Sequence, residues 1–289
     1  MRDKIPCADR QNVHLISMVT KQFTPDRNSK PINAVLFLAE ISLLKRAGEL
    51  DNALSKLIDS GNSESQSGNH ENAALFFYEA GKLLLHLNTG ESRQRAAELL
   101  GNGAQECEEA AKKVMNDKRE NAIDAPHNAA RLYDRAARFY SMTALHSDII
   151  ESARCFHLAA SFYKTAALLS ETSDSPKERT EALWLLCAEA DLSYCAVLMS
   201  KGTVTRDESF SIGRSMEAAS NAYLEVGYKK KALLCLAKAV DVIKSCRPGA
   251  ADSGYLMSLL RRSEEMNLRE GDIVAAAVSV LYQHDCGRI

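Results

Sequence analysis

The chain has 289 residues, of which 46% are hydrophobic and 26% charged, so it is long enough to bury a sizeable core and is not expected to be disordered. Its formal net charge of -2 argues against a general nucleic-acid-binding protein, which would usually be strongly basic. Met1–Arg10 has no apolar core of the kind found in signal peptides, and the uninterrupted apolar runs fall far short of the roughly 18 residues needed to span a bilayer, so we predict a cytoplasmic protein.

Helix-forming residues dominate the chain, and none of its six prolines interrupts a periodic apolar stretch. Strand signals are scarce. The glycines Gly101 and Gly103 leave open a break in the fifth predicted helix. We predict helices over residues 9–22, 32–47, 50–60, 70–88, 92–115, 124–145, 147–171, 176–200, 207–226, 229–246, 253–267 and 272–284.

One helix start carries a specific signal. Ser175 precedes Pro176 and lies three residues before Glu178, which is the spacing of a capping box with proline in the first helical position. We therefore predict that Ser175 caps the helix over 176–200.

Small residues recur seven positions apart along the predicted helices. Seven residues are nearly two helical turns, so both members of a pair lie on one face and allow a neighbouring helix to approach closely. The pairs are Ala73/Ala80, Ala97/Ala104, Ala129/Ala136, Ala130/Ala137, Ala153/Ala160, Ala160/Ala167 and Ala232/Ala239. Large side chains such as Phe77 and Leu236 lie between some of them, a pattern typical of tetratricopeptide-like helices.

These features predict an all-α chain folded as an irregular, tetratricopeptide-like, right-handed solenoid of antiparallel helix hairpins. The intervals between alanine pairs vary, which excludes a strict 34-residue array. We predict a single helical-repeat domain over residues 1–289. Residues 1–30 form a less regular N-terminal segment, and residues 251–289 form a C-terminal helical cap.

The sequence contains none of the residue spacings typical of catalytic or metal sites. The eight cysteines form no CxxC pair, and the seven histidines show neither HxxxH nor ExxH spacing. Most cysteines lie in apolar helical stretches, so we expect reduced thiols packed as small hydrophobic side chains. Glycine-rich phosphate loops are also missing. We therefore predict no catalytic, cofactor-binding or metal-binding residues and expect the chain not to be an enzyme.

Two charged surfaces are candidates for protein binding. In the helix over 124–145, Arg131, Arg135 and Arg138 follow one another at i, i+4 and i+7, so they share a face that could attract acidic partner helices. Glu264 and Glu265 form a second, acidic surface with Glu270 and Asp272. For both surfaces, plain solvation of a charged helix face is the alternative.

Three passages resemble the soluble NSF-attachment protein (SNAP) family. Ile32–Ala53 is similar to the family's first hairpin, in which an alanine-rich helix is followed by a short turn and a second helix. Ala129–Tyr140 is similar to its recurring A-x-x-Y-x-x-A-A-x-x-F pattern. Asp252–Asn267 is similar to a late helix with a Leu-Leu pair, a Glu-Glu pair and an Asn, and it is the most specific of the three.

The resemblance implies an adaptor in vesicle fusion that binds a SNARE-type helical bundle, recruits an AAA+ disassembly ATPase and contacts membranes peripherally. It further implies that the arginines face the bundle and that Glu264 and Glu265 face the ATPase. Two segments depart from the family: Gln22–Arg27 has a single aromatic residue where the family has an apolar membrane-attachment loop, and Asp285–Ile289 lacks a leucine-rich tail. The alternative is a generic tetratricopeptide-like interaction scaffold or peptide-binding adaptor. Neither interpretation includes nucleic-acid binding.

Overall fold

The computed structural model describes residues 32–116, 124–173, 175–245, 250–269 and 271. These residues form ten α-helices, and no strand occurs among them. The helices are α1 Ile32–Ala47, α2 Leu50–Gln66, α3 His70–Leu87, α4 Gly90–Asn116, α5 Asp124–His146, α6 Ile149–Glu171, α7 Lys177–Ser200, α8 Arg206–Glu225, α9 Lys229–Ser245 and α10 Ala250–Arg269. The predicted all-α class is confirmed, and the helices predicted over 9–22 and 272–284 lie outside the described residues.

Two helices continue through glycines, one where the sequence predicted a stop and one where it left a break open. α2 runs past Gly61 to Gln66, and α4 is unbroken across Gly101 and Gly103. A Cβ atom at Gly61 would lie 2.9 Å from the ring of Phe77, and one at Gly103 would lie 3.2 Å from Phe139. Gly61 and Gly103 are therefore close-approach points between helices, and this packing outweighs the low helix propensity of glycine.

The chain divides into two compact units, Met1–Asp148 and Ile149–Ile289, which are described separately. In the first unit, consecutive helices from α1 to α5 pack against one another, and in the second the same holds from α6 to α10. Short connections place successive helices antiparallel. The single-domain assignment over 1–289 stays a prediction.

Three hairpin turns are capped in the same way, each by its own glycine. Gly48, Gly68 and Gly227 have φ of 81°, 74° and 76°, a left-handed conformation that glycine adopts without a Cβ penalty. After Gly68, for example, the amide of Asn69 donates to the carbonyl of Glu64 at 2.9 Å, which closes the helix end in a Schellman motif. Five residues after each glycine lies a fully buried alanine: Ala53, Ala73 and Ala232.

The predicted cap of α7 is wrong, and a real capping box occurs at α8. Pro176 is the N-cap of α7 without a side-chain cap bond, while the hydroxyl of Ser175 lies 2.8 Å from that of Ser173. At α8, Thr205 and Glu208 form the reciprocal pair of a capping box. The backbone before Pro176 is held by a turn in which the Ser175 amide donates to the carbonyl of Ser173 at 2.7 Å, so the helix begins later than the sequence suggests.

Alanines and large side chains build both cores as predicted. Every alanine of the seven-residue pairs is at most 5% exposed. In the first unit, Leu57, Phe77 and Leu83 pack with Ala53, Ala73 and Ala80. In the second, the core contains Ile212, Leu236 and Ile243 together with Ala239.

The cysteines that the structure describes, one in the first unit and four in the second, are buried free thiols, as expected. They are Cys107, Cys155, Cys187, Cys195 and Cys235.

Among the residues that the structure describes, one helix, α7, contains an 18-residue window that by length and composition alone is apolar enough to cross a membrane. Half of that window is buried inside the structure, as in the core helix of a folded domain. Glu189 and Asp191 interrupt the apolar sequence of α7, so uninterrupted apolar runs in the sequence do not indicate it.

Candidate protein-binding surfaces

The helix that carries the three predicted arginines, α5, contacts both α3 and α4. The ring of Phe139 stacks on Tyr78 of α3, with the ring centroids 4.9 Å apart and the planes at 9°. Phe139 also lies against Gly103 of α4, whose missing side chain leaves room for the ring. These contacts fix the rotation of α5 and therefore the positions of its arginines.

Arg138 is not on a solvent-facing stripe, contrary to the predicted face. The residue is only 9% exposed, and its Nε donates to Oδ1 of Asp134 at 2.7 Å while Nη2 donates to Oδ2 at 3.2 Å. The reason is that α5 is covered on a second side by α3, which a pattern of i, i+4 and i+7 within α5 alone does not reveal. Arg138 belongs to an internal ion pair.

Arg131 and Arg135 remain closer to the surface. Both are half-buried. Nη1 of Arg135 lies 3.5 Å from Oε2 of Glu71 on α3, an ion pair that links two helices. This contact orients the Arg135 side chain, and the half-buried stems of both arginines lose less freedom on binding a partner than fully exposed ones would.

Sequence reasoning missed a polar cluster near Glu71, at the turn between α2 and α3. Glu106 of α4 accepts a hydrogen bond from the Ser65 hydroxyl at 2.6 Å, and its other oxygen lies 2.7 Å from Nδ1 of His70. Lys113 of α4 donates to the carbonyl of Gly68 at 3.2 Å. The cluster ties the glycine-capped turn to α4, and no local spacing signals it because its members come from three separate segments.

The acidic surface lies on α10 in the second unit. Glu265 is exposed and Glu264 is half-buried, whereas Glu270 and Asp272 lie outside the described residues. α10 is held against α8 by Glu217, which accepts a hydrogen bond from the Tyr255 hydroxyl at 2.9 Å and pairs with Arg262 at 3.2 Å. Burial, followed by the nearby charge of Glu217, raises the pKa of Tyr255.

A second basic surface, also missed by the sequence analysis, lies on α9. It consists of Lys230, Lys231, Leu234 and Lys238, all exposed. The signal that could have revealed it is the run of three lysines at the start of the helix followed by Leu234 and Lys238 at helical spacing. The predicted sites therefore fall in different units: the arginines in the first, Glu264 and Glu265 in the second.

The second unit also buries one carboxyl group. Asp191 is 5% exposed, and burial raises its pKa to about 7, against the opposing effects of a hydrogen bond from Ser215 and the charge of Lys164. Burial likewise raises the pKa of Cys187 to about 12, so that thiol is neutral at physiological pH. Within the described residues, no group of three or more His, Cys, Asp or Glu side chains is arranged to hold a metal ion.

No protein-family model matches the chain, and no curated protein matches it significantly. Three solved structures show distant likenesses at 14% identity. A circular tandem repeat protein with novel repeat topology has a TM-score of 0.34, and the match covers 96% of this chain but only 65% of that one. The de novo designed helical repeat protein DHR64 has a TM-score of 0.33, with 90% and 98% covered. BtubC from P. vanneervenii has a TM-score of 0.28, with 83% and 91% covered.

The assignment of an all-α fold rests on the ten helices and their packing. The resemblance to the SNAP family is not supported by any family model and stays a prediction.

Proposed function

We propose that this chain is a non-enzymatic interaction scaffold that binds an acidic helical partner protein through α5. The observation that carries the proposal is the arrangement of Arg131 and Arg135, which lie one helical turn apart and half-buried, with Arg135 oriented by Glu71. Guanidinium groups held in this way can donate to carboxylates with little further loss of side-chain freedom. Arg138 is not part of this binding surface, because its pair with Asp134 holds its charge inside the helix packing.

A more specific proposal is a SNAP-like adaptor in the cytoplasm, in which α5 binds a SNARE-type bundle and α10 recruits an AAA+ ATPase. The observation that favours it is the passage Asp252–Asn267, which forms most of α10 and presents an exposed Glu265 beside a half-buried Glu264. Carboxylates in that position would attract a basic surface on an ATPase domain. Peripheral membrane contact is part of this second proposal only.

One binding series separates the two proposals. A SNARE four-helix bundle is immobilised, the chain is added, and a nucleotide-locked AAA+ ATPase follows. A SNAP-like adaptor is expected to bind the bundle and then recruit the ATPase, and Glu264→Lys with Glu265→Lys should abolish the second step only. A general scaffold is expected to bind acidic helices without recruiting the ATPase.

The matched control for the arginine surface is Arg93→Glu with Arg95→Glu, which makes the same charge change at two exposed positions of α4. Arg131→Glu with Arg135→Glu should weaken binding to the bundle, and the control pair should leave it unchanged. Binding of the wild-type chain to neither partner would overturn the SNAP-like proposal, and equal loss of binding in the arginine variant and its control would overturn the assignment of the surface to α5.

A further inference from the structure

The outward face of α9 combines positive charge with an exposed apolar side chain. Lys230, Leu234 and Lys238 are spaced at i, i+4 and i+8, and Lys231 lies beside them, so all four project from one side of the helix. The side chain of Leu234 is 56% exposed. From Lys230 to Lys238 the face extends for about 12 Å along the helix axis. We call these four residues the α9 basic face.

One ammonium group of this face is held in place by two aromatic rings. Nζ of Lys231 lies 5.1 Å from the ring centroid of Tyr223 and 5.2 Å from that of Tyr228. The two rings are themselves stacked, with centroids 6.4 Å apart. Cation–π attraction of this kind restricts a lysine that would otherwise sample many rotamers. Tyr228 is 46% exposed, so its ring also extends the apolar area of the face, whereas Tyr223 is buried.

The opposite side of α9 packs in the hydrophobic core of its unit. Ala232, Leu236, Ala239 and Ile243 are fully buried. The rotation of the helix is therefore fixed, and so is the direction in which the α9 basic face points. A rigid helix face that carries an apolar residue between positive charges is suited to a complementary helix rather than to a flexible chain.

We propose that the α9 basic face binds an acidic amphipathic helix of a partner protein, whose apolar residue packs on Leu234 and whose carboxylates meet Lys230, Lys231 and Lys238. Charge complementarity identifies this occupant. Asp241 is exposed on the same side, one turn beyond Lys238, so it sets the direction of the bound helix by repelling its most acidic end. This surface is independent of the arginines on α5, since the two lie in different units.

Two other classes of ligand fit the face less well. A membrane-bound helix needs a broad apolar face, and the α9 basic face has one aliphatic anchor, Leu234, with a tyrosine beside it. A single-stranded nucleic acid needs several aromatic platforms along a basic groove, whereas the aromatic rings here are engaged with Lys231.

The test uses the full chain and a fluorescein-labelled, capped helical peptide in which glutamates flank one leucine on a single face. Binding is measured by fluorescence anisotropy at low and at physiological salt. Lys230→Glu with Lys231→Glu and Lys238→Glu should weaken binding roughly tenfold or more and remove most of its salt dependence. Leu234→Ser should weaken binding by a smaller factor while leaving the salt dependence intact.

The matched control reverses Arg46, Arg95 and Lys177, three exposed basic residues that lie outside α9. It should bind the peptide as the wild type does. The proposal is overturned if the control and the α9 variant lose affinity equally, or if the peptide does not bind. It is also overturned if phosphatidylserine vesicles or a single-stranded oligonucleotide bind the face more tightly than the peptide does. Failure here leaves the α5 proposal intact, because Arg131 and Arg135 are unchanged in every variant.

Discussion

Asp134 and Arg138 lie one turn apart on α5 and share two hydrogen bonds, Nε to Oδ1 at 2.7 Å and Nη2 to Oδ2 at 3.2 Å. Their side chains are 16% and 10% exposed. A bidentate pair with so little solvent contact fixes both side chains. Removing either partner would leave the other charge unpaired and would lower the free energy of unfolding.

Breaking this pair should destabilise the first unit. Arg138→Met leaves the half-buried Asp134 carboxylate without its bidentate partner, and we expect a loss of about 1–3 kcal/mol in the free energy of unfolding. Arg138→Met combined with Asp134→Leu should lose less than the single variant, because no buried charge remains. Urea denaturation of the three proteins checks this. If Arg138→Met is as stable as the wild type, the ion pair is effectively solvated and the account is contradicted.

Alanines at helix contacts should not tolerate larger side chains. Ala239 is fully buried in α9, whereas Ala237 in the same helix is exposed, so the two form a matched pair. Ala239→Leu should lower the free energy of unfolding by about 1–3 kcal/mol through overpacking, and Ala80→Leu should do the same in the first unit. Ala237→Leu should change it little. Equal melting temperatures for Ala239→Leu and Ala237→Leu would contradict the close-packing account.

Periodicity within single helices predicted the fold well but the site only in part. The alanine pairs were readable because each is a local pattern with one structural meaning. The burial of Arg138 was not readable from the sequence, because it depends on the contact of α5 with α3, a helix that is distant along the chain. The break left open at Gly101 and Gly103 does not occur for a related reason: close packing at Gly103, and not helix propensity, decides whether α4 continues.

The buried Asp191 should make the second unit pH-sensitive. Its pKa rises from an ordinary value of 3.8 to about 7 because of burial, so between these values the folded state keeps a proton that the unfolded state loses. Stability contributed by this group is therefore greatest at low pH and is lost as the pH rises towards 7. The thiol of Cys187 beside it does not titrate in this window.

Asp191→Asn mimics the protonated carboxyl and isolates this effect from all other titrations. We expect the variant to match the wild type at about pH 3.5, below the ordinary pKa of 3.8, and to melt higher than the wild type at pH 8, by roughly several degrees. Thermal unfolding followed by circular dichroism at both pH values is the measurement. A wild type that is more stable than the variant at pH 8 would show that the ionised form is well stabilised by Lys164 and Ser215.

Gly213 should resist substitution because of its contact with α9. A Cβ atom there would lie 2.7 Å from Cδ1 of Ile243, while one at Gly254 would meet nothing within 4 Å. Gly213→Ala should cost about 1 kcal/mol or more through overpacking, and Ile243→Val in the same chain should recover part of that. Gly254→Ala should instead stabilise α10 by about 0.5–1 kcal/mol, as alanine does in an exposed helix position. Chemical denaturation of the four chains compares them directly.

The central claim is that Arg131 and Arg135 bind an acidic helical protein. The most direct measurement is the association rate of the full chain with an immobilised SNARE four-helix bundle at two salt concentrations. The wild type should associate faster at low salt, and Arg131→Glu with Arg135→Glu should slow association roughly tenfold and remove most of the salt dependence, while Arg93→Glu with Arg95→Glu should keep the wild-type rate. Equal association rates and equal salt dependence for the two double variants would contradict the claim.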